Sequence, residues 1–204
     1  MSNRGRPRSF SRDTALRRAM EVFWARGYEG AQLTDLTTAM GINPPSFYAA
    51  FGSKEALFRE AVDLYLATVG SGSMRALEEA AGTQDAIEAM LRASAEIALT
   101  PSSGGCMLIL GLVNCLPESE GARQYLAGLR RETVNRIRQR LEQGIRDGDL
   151  PEGTDVSGLA TFYATVMQGL SLQARDGASS SAPRFPWTRS CGILTPRGES
   201  EMKH

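Results

Sequence analysis

Residues 31–58 constrain the fold more than any other part of the chain, because capping and turn residues divide them into short helical segments. Apolar or partly apolar side chains recur at helical spacing in the first segment, at Leu33, Leu36, Thr37 and Met40. Gly41 follows where a helix ends on a left-handed residue. Asn43 can cap the next helix, and Pro44 fits its first position. The sequence therefore predicts two short helices around a tight turn.

The second of these helices has distinct inner and outer faces. Phe47 and Phe51 are four residues apart and can pack inward together. This arrangement turns Pro45, Ser46, Tyr48 and Ala49 outward or to the flank. A helix presented in this way behind a first helix can enter the major groove of DNA.

A third helix opens directly behind this pair. Ser53 can cap it, and Lys54 stands in its first turn, where a cation opposes the helix dipole. A phosphate group would remove that conflict, and the Tyr48 hydroxyl and backbone amides could hold the same anion. A solvated helical hairpin explains each of these features singly. Their occurrence in this order favours DNA binding.

The stretch from about Phe10 to Tyr65 resembles the N-terminal domain of TetR-family transcriptional regulators. The residues that carry the resemblance are Ala19 through Gly27, Leu36, Gly41, Ile42, Ser46, Phe47, Tyr48, Phe51 and Ser53 through Leu57. The chain has Ala31 and Gln32 where the family commonly has Thr or Ser, which leaves Gln32 or Thr34 to contact phosphate. The resemblance implies a palindromic double-stranded DNA operator, contacted through Gln32, Thr34, Asn43, Pro44, Pro45, Ser46, Tyr48, Ala49 and Lys54.

Charge is unevenly placed although the formal net charge is zero. The first 18 residues contain six arginines and one aspartate, a local charge of +5. Residues 1–10 are predicted to form a basic flexible arm. Such an arm can follow a DNA groove or remain a solvated tail, and the sequence leaves both open.

Several other classes of protein lack support in the sequence. Cys106, Cys115 and Cys191 have no metal-ligand spacing, and His204 is the one histidine. No nucleophile elbow or complete dinucleotide loop occurs. The apolar run from Cys106 to Pro117 is shorter than the ~18 residues that a membrane-spanning helix needs. We therefore predict a cytoplasmic protein that is not an enzyme, with no catalytic residues, metal or cofactor and no membrane partner.

The rest of the chain predicts an all-α protein, with a three-helix helix-turn-helix domain followed by a helical regulatory and dimerisation domain. A first helix starts behind Ser11 and stops at Gly27. Later helices are expected behind Thr83 and Asp155, over Ser119 to Gly148, and over Met107 to Leu116, which is apolar nearly all round and so predicted to be buried. The predicted domains are 11–53 for DNA binding (motif about 32–51), 54–70 as a connecting helix, 71–175 for effector binding and dimerisation, and 176–204 as an irregular tail.

The helix behind Asp155 has two apolar stripes, and one core needs only one. One stripe, Leu159, Tyr163, Val166 and Leu170, is predicted to pack on a second copy of the chain. A two-fold dimer reads two half-sites about 34–36 Å apart or a multiple of that distance. The tail contains three prolines and a serine run where the family supplies a last helix, so it departs from the family pattern.

The resemblance also implies a pocket for a small, largely apolar effector. Its predicted wall consists of Met90, Ile97, Met107, Leu110, Val113, Asn114, Tyr125, Phe162 and Met167. Ordinary core packing explains the same side chains. Asn114 could orient a ligand or be a core amide satisfied by the backbone.

The sequence thus predicts a ligand-responsive regulator, a repressor that binds its operator as a homodimer and is released by the effector. The alternative is a regulator that senses redox state through Cys106, which would begin a helix whose dipole lowers a thiol pKa. A helical enzyme is a third interpretation. It requires a catalytic constellation that the sequence does not contain.

Overall fold

The computed structural model describes residues 11–99 and 105–177, and all regular structure in these ranges is helical. The α-helices are α1 (Arg12–Gly30), α2 (Leu33–Met40), α3 (Pro44–Phe51), α4 (Lys54–Ala67), α5 (Gly72–Glu79), α6 (Thr83–Ala98), α7 (Met107–Leu110), α8 (Glu120–Arg146) and α9 (Val156–Arg175). Short 3-10 turns cover Val69–Ser71 and Pro117–Ser119. The all-α prediction is confirmed. The predicted arm at 1–10, Cys191 and the predicted tail from residue 178 lie outside the described residues.

Four predicted caps form as expected at the starts of helices. Ser11 accepts a hydrogen bond from the Thr14 amide at 3.4 Å, and Ser53 accepts one from Ala56 at 3.0 Å. Asn43 and Asp155 likewise accept from the amides of the third residues of α3 and α9, each at 2.9 Å. Each cap satisfies an amide that the helix itself leaves unpaired, so these boundaries follow from local sequence.

The chain divides into two compact units. Unit one contains the described residues up to Thr68 together with Met107–Ala127, and unit two contains the remainder. The segment 107–127, which the sequence analysis assigned to the effector-binding domain, therefore packs with α1–α4. Helix α8 is continuous through Ala127, so its first residues belong to unit one and the rest to unit two.

An aromatic cluster forms the core of unit one. The ring of Phe58 on α4 makes edge contacts with Phe23 and Tyr28 of α1, with centroids 5.0 and 4.9 Å away. Trp24 packs against Tyr65 at 5.1 Å. Gly27 interrupts α1 with φ 70° and ψ 176°, and the next residue, Tyr28, donates its amide to the carbonyl of Gly111 at 2.7 Å. The predicted stop at Gly27 is thus a sharp kink, which brings Tyr28 into contact with the 107–127 segment.

Unit two has its own core, formed by α5, α6, α8 and α9. Its fully buried side chains include Leu77, Ile87, Met90, Leu141 and Tyr163. The prediction that Thr83 caps α6 was wrong. Gly82 occupies the cap position, and the Asp149 carboxylate accepts hydrogen bonds from the Thr83 amide at 2.8 Å and hydroxyl at 2.9 Å. Asp149, which is 66 positions away in the chain, therefore caps α6.

The predicted buried helix from Met107 to Leu116 was also wrong in its extent. Only Met107–Leu110 is helical, and the following backbone turns so that Gly111 can accept the Tyr28 amide. Val113 is 71% exposed and Leu116 53% exposed, and Asn114 is exposed as well. The chain leaves the core after Leu112.

Both apolar stripes of α9 contribute to the core of unit two, since Ala160 is fully buried and Met167 packs beside it. Tyr163 and Leu170 are 0% and 2% exposed, and Leu159 and Val166 pack against the core of unit two. The stripe predicted to bind a partner is therefore an internal face. Exposed residues follow a separate line along the helix, at Gly158, Phe162, Thr165, Gly169 and Leu172.

Candidate nucleic-acid interface

The turn between α2 and α3 is fixed by backbone hydrogen bonds around Gly41. Gly41 has φ 70° and ψ 33°, the left-handed conformation that glycine adopts without steric cost. The amide of Ile42 donates to Thr37, and that of Gly41 donates to Thr38, each at 3.1 Å. These two bonds end α2 as a Schellman motif and set the path into α3.

The outer face of α3 is available to a DNA duplex. Phe47 is fully buried and Phe51 is 4% exposed, which fixes the inner face as predicted. Seven of the nine predicted DNA-binding residues are exposed: Gln32, Thr34, Asn43, Pro44, Pro45, Tyr48 and Ala49. Ser46 and Lys54 are half-buried. The side-chain oxygen of Asn43 is engaged in capping α3, so a DNA contact from Asn43 would use its amide nitrogen.

Tyr48 stands out from this surface at 53% exposure. Its ring packs edge-on against Phe47, with the centroids 5.2 Å apart and the planes at 89°. The ring is therefore supported from beneath, which positions its hydroxyl at the flank of α3. A phenol held in this way can donate to a phosphate oxygen.

Lys54 is held at the start of α4 by an aromatic face. Its ammonium lies 4.4 Å from the centroid of the Tyr28 ring, a cation–π arrangement. Burial lowers the pKa of Lys54, and the charge of Glu29 acts in the opposite direction. Burial, with the charges of Glu55 and Glu29, raises the pKa of Tyr28. The Tyr28 ring therefore fixes the Lys54 ammonium beside the N-terminus of α4.

Glu29 is a residue of this region that sequence reasoning missed. Its carboxylate accepts the Leu116 amide at 3.0 Å and is hydrogen-bonded by Ser119. Burial opposes ionisation of Glu29, but these bonds and the charge of Lys54 outweigh it, so its pKa is lowered. No motif reveals this role, because the partners are 87 and 90 positions away in the chain. Through Glu29 and Tyr28, the segment 111–119 is attached to the residues that surround Lys54.

The start of α2 carries a second charged cluster. The amide of Gln32 donates to Asp35 at 3.2 Å, and Arg26 forms an ion pair with the same carboxylate at 2.6 Å. The Arg26 hydrogen bond, followed by that from Gln32, lowers the pKa of Asp35. This cluster anchors the N-terminus of α2 to α1 and leaves the Gln32 side chain exposed.

Among the N-terminal arginines that the structure describes, Arg12 and Arg18 have partners inside unit one. Arg12 forms an ion pair with Glu60 at 2.8 Å and lies over the Phe51 ring at 4.6 Å. Arg18 donates to the carbonyl of Ala39, near the end of α2, at 3.3 Å. Both therefore brace α1 against the helix pair, a role that the local charge count did not distinguish from DNA contact.

The predicted effector residues are divided between the units. Met107, Leu110, Val113, Asn114 and Tyr125 belong to unit one, and Met90, Ile97, Phe162 and Met167 to unit two. Burial, together with the hydrogen bond that the Tyr125 hydroxyl donates to Asp63, raises the pKa of Tyr125. An open hollow of about 250 Å³ in unit two is lined by Gly82, Thr83, Gln84, Asp85, Asp149 and Leu150, and it contains none of the nine residues.

Unit two contains a buried polar group, the Ser94 hydroxyl, that lacks a hydrogen-bond partner among the described residues. Ser94 lies on α6.

Within the described part of the chain there is no cluster of His, Cys, Asp or Glu that could hold a metal ion. Nor does any described helix combine the length and apolarity that crossing a bilayer requires.

Helices α2 and α3 are joined by a tight turn, the outer face of α3 is exposed, and α4 begins with Lys54. This arrangement defines a helix-turn-helix DNA-binding protein. Residues 15–61 match the family model described as bacterial regulatory proteins, tetR family, and residues 83–184 match that of the tetracyclin repressor-like C-terminal domain. The chain belongs to the TetR family of transcriptional regulators.

Similar proteins extend over nearly the whole chain. The HTH-type transcriptional repressor ComR of Escherichia coli K12 is 34% identical over 87% of this chain and 85% of its own length. The TetR-family regulator CifR, solved as a cysteine mutant complexed with a 26-base-pair operator DNA, is 46% identical with a TM-score of 0.80. That match covers 93% of this chain and 96% of CifR. A TetR regulator from Rhodococcus sp. RHA1 is 36% identical, with a TM-score of 0.56 over 88% and 97% of the two chains.

Proposed function

We propose that the protein is a ligand-responsive transcriptional repressor that binds a palindromic operator as a homodimer and is released by a small effector. The observation that carries the DNA-binding part is the exposed face of α3, flanked by Tyr48 and by Lys54 on its Tyr28 support. A CifR variant 46% identical to this chain is complexed with operator DNA, and ComR is named a repressor. We propose the cytoplasm as the location, because DNA is the partner.

The exposed stripe of α9 supports the dimer. Gly158, Phe162, Thr165, Gly169 and Leu172 are spaced by four and three residues and so share one face. Phe162 is 38% exposed and Leu172 54% exposed, and the residues between them are small, which allows a second helix to approach closely. We propose this face, in place of the stripe at Leu159, Tyr163, Val166 and Leu170, as the contact with a second copy.

Effector binding is proposed for the helical body, where the match to the tetracyclin repressor-like C-terminal domain lies. Ser94 supports a ligand site in unit two, because a buried hydroxyl without a partner is costly and a bound molecule would satisfy it. Met90, Leu91 and Ile97 lie within four residues of Ser94 on the same helix and are apolar. A largely apolar effector with one hydrogen-bonding group fits this chemistry.

The operator is tested by selecting binding sites from randomised DNA with the full chain. The expected result is a palindrome whose half-sites are one helical turn of DNA, or a multiple, apart. Enrichment of no sequence over random DNA would contradict the proposed function. A single unpaired half-site would leave DNA binding intact and contradict the homodimer.

Release is tested by calorimetry with compounds that displace the protein from that operator. Linkage requires the effector to lower operator affinity by the same factor by which the operator lowers effector affinity. Ser94→Ala removes the unpaired hydroxyl and should weaken a hydrogen-bonding effector. Equal effector affinity for free and DNA-bound protein would show that the compound does not regulate binding.

Thiol chemistry is the second candidate for the release signal. Cys106 and Cys115 flank α7 and are half-buried, and the CifR structure with DNA carries cysteine substitutions. Helix α7 has only four residues, so the helix dipole expected to activate Cys106 is small. Treatment with peroxide should release DNA from the wild type but not from Cys106→Ser if the thiol is the sensor. Equal release from both would eliminate this candidate.

A further inference from the structure

The outermost positions of α3 carry no hydrogen-bonding group. Phe47 and Phe51 define the buried side of the helix. At ~100° of rotation per residue, Pro45 and Ala49 lie roughly 180° from them, one turn apart on the side that faces away from unit one. Both are exposed. A duplex that receives α3 in its major groove therefore meets these two side chains first.

The remainder of the helix offers little for hydrogen-bonded base recognition. The segment Pro44–Phe51 contains no charged and no amide side chain. Its two hydroxyls, on Ser46 and Tyr48, lie to either side of the line through Pro45 and Ala49. The bidentate pairings by which Arg, Lys, Asn and Gln select guanine or adenine are thus unavailable from within α3.

The major groove presents one apolar group that an apolar side chain can distinguish, the 5-methyl group of thymine. We propose that Pro45 and Ala49 recognise thymine through this methyl group, so that each operator half-site carries T·A pairs where α3 lies deepest. This inference rests on the proposed operator binding and adds to it the chemical group that is read. The small size of Ala49 lets the helix backbone approach the bases, and the ring of Pro45 is rigid, so little conformational freedom is lost on contact.

The first arm of the test alters only the DNA. In the operator obtained by selection, each thymine is replaced in turn by deoxyuridine, which removes the methyl group and leaves the hydrogen-bonding edge unchanged. Burial of one methyl group corresponds to about a fourfold change in dissociation constant. We expect about that loss at one or two thymines in each half-site. Replacing the same pair by C·G should weaken binding, and 5-methylcytosine in place of cytosine should recover about fourfold.

The second arm couples the DNA change to the protein. Ala49→Gly and Pro45→Ala each remove apolar contact, so deoxyuridine at the matching thymine should cost less than about 1.5-fold in the corresponding variant. Ala25→Gly, an exposed alanine in the interior of α1, is the control for the loss of helix propensity and should retain the fourfold sensitivity. Thermal melting of each variant confirms that it is folded.

The outcomes separate this inference from the proposed function. If no operator is selected, operator binding itself fails. If an operator binds tightly and tolerates deoxyuridine everywhere, methyl recognition is wrong although the regulator assignment stands. If sensitivity persists at the same thymines in both Ala49→Gly and Pro45→Ala, another residue reads the methyl group and the inference is overturned.

Discussion

The ammonium of Lys54 lies 4.4 Å from the centre of the Tyr28 ring, at the point where α4 begins. The ring takes the place of part of the water that would otherwise surround the charge, and Ser53 uses its hydroxyl to cap the same helix end. A cation in the first turn weakens a free helix. Here the Tyr28 ring and the charge of Glu29 stabilise it, and the ammonium remains near the N-terminus of α4, which attracts an anion.

Tyr48→Phe and Lys54→Ala should weaken binding to operator and to unrelated DNA by similar factors, because phosphate carries no base identity. Loss of the Tyr48 hydroxyl should cost about 1.5 kcal/mol per half-site, close to tenfold. Lys54→Ala should also reduce the salt dependence of binding by about one ion per half-site. Fluorescence anisotropy at several salt concentrations measures both. A changed preference at one operator position would show that the residue reads a base.

Gly27→Ala should destabilise unit one by about 2 kcal/mol, because its φ of 70° with ψ of 176° is accessible almost only to glycine. An added Cβ would also lie 3.1 Å from the Gly111 carbonyl oxygen. Gly41→Ala is the matched comparison, since its conformation is ordinary left-handed and its nearest neighbour is the flexible Arg18 guanidinium at 3.7 Å. Gly41→Ala should lower stability by about 1 kcal/mol.

Urea unfolding followed by Trp24 fluorescence in a Trp187→Phe background reports on the stability of unit one. Equal losses of stability in Gly27→Ala and Gly41→Ala would contradict the role of the Gly111 contact.

Glu29→Gln should lower stability at neutral pH and have a diminishing effect in acid. The pKa of Glu29 is lowered in the folded protein from its ordinary value of 4.5, so ionised Glu29 stabilises the fold above that value. The contribution is lost as pH falls through the folded-state pKa. We expect a loss of less than about 1 kcal/mol at pH 7, because solvent screens this partly exposed carboxylate. The stabilities of the two proteins should converge once the pH has fallen below the folded-state pKa of Glu29. Glu21→Gln, at an exposed position on the same helix, is the control. A constant difference across this range would show that the charge of Glu29 is unimportant.

Phe162→Glu with Leu172→Glu should give a folded monomer. Both side chains are exposed in the single chain, so the charges meet water until a partner covers them. Uncoupling the half-sites should lower operator affinity by about 100-fold or more.

Leu170→Glu should instead unfold unit two, because it places a charge where the native side chain is 2% exposed. Analytical ultracentrifugation and thermal melting distinguish the two effects. Ala81→Glu with Gln84→Glu, at exposed positions, controls for added charge. A dimeric Phe162→Glu, Leu172→Glu protein would place the interface elsewhere.

The DNA-binding helices could be predicted because their boundaries depend on neighbours in the sequence. Ser11, Asn43 and Ser53 each accept an amide three positions ahead, and Gly41 ends its helix through bonds that span five residues. Such signals are complete within a short window. The cap of α6 could not be found in this way, because Asp149 lies after the end of α8, 66 positions from Thr83 in the chain.

Residue spacing also leaves some choices undetermined. Helix α9 is apolar on two stripes, and periodicity alone does not say which of Tyr163 and Phe162 faces the core. The apolar run behind Met107 predicts burial, but the backbone turns at Gly111 to meet Tyr28, and Val113 becomes exposed. In both cases the outcome depends on contacts between distant segments, as does the position of Glu29.

The composition of unit one from two separate stretches limits how the protein can be recombined with its relatives. A hybrid regulator made by joining residues up to Thr68 to another protein's body would lack Gly111, Leu116 and Ser119, the partners of Tyr28 and Glu29. Transfer of operator specificity with native stability therefore calls for two inserted pieces, 11–68 and 107–127, the second of which ends partway along α8. In evolutionary terms, these stretches are expected to change together.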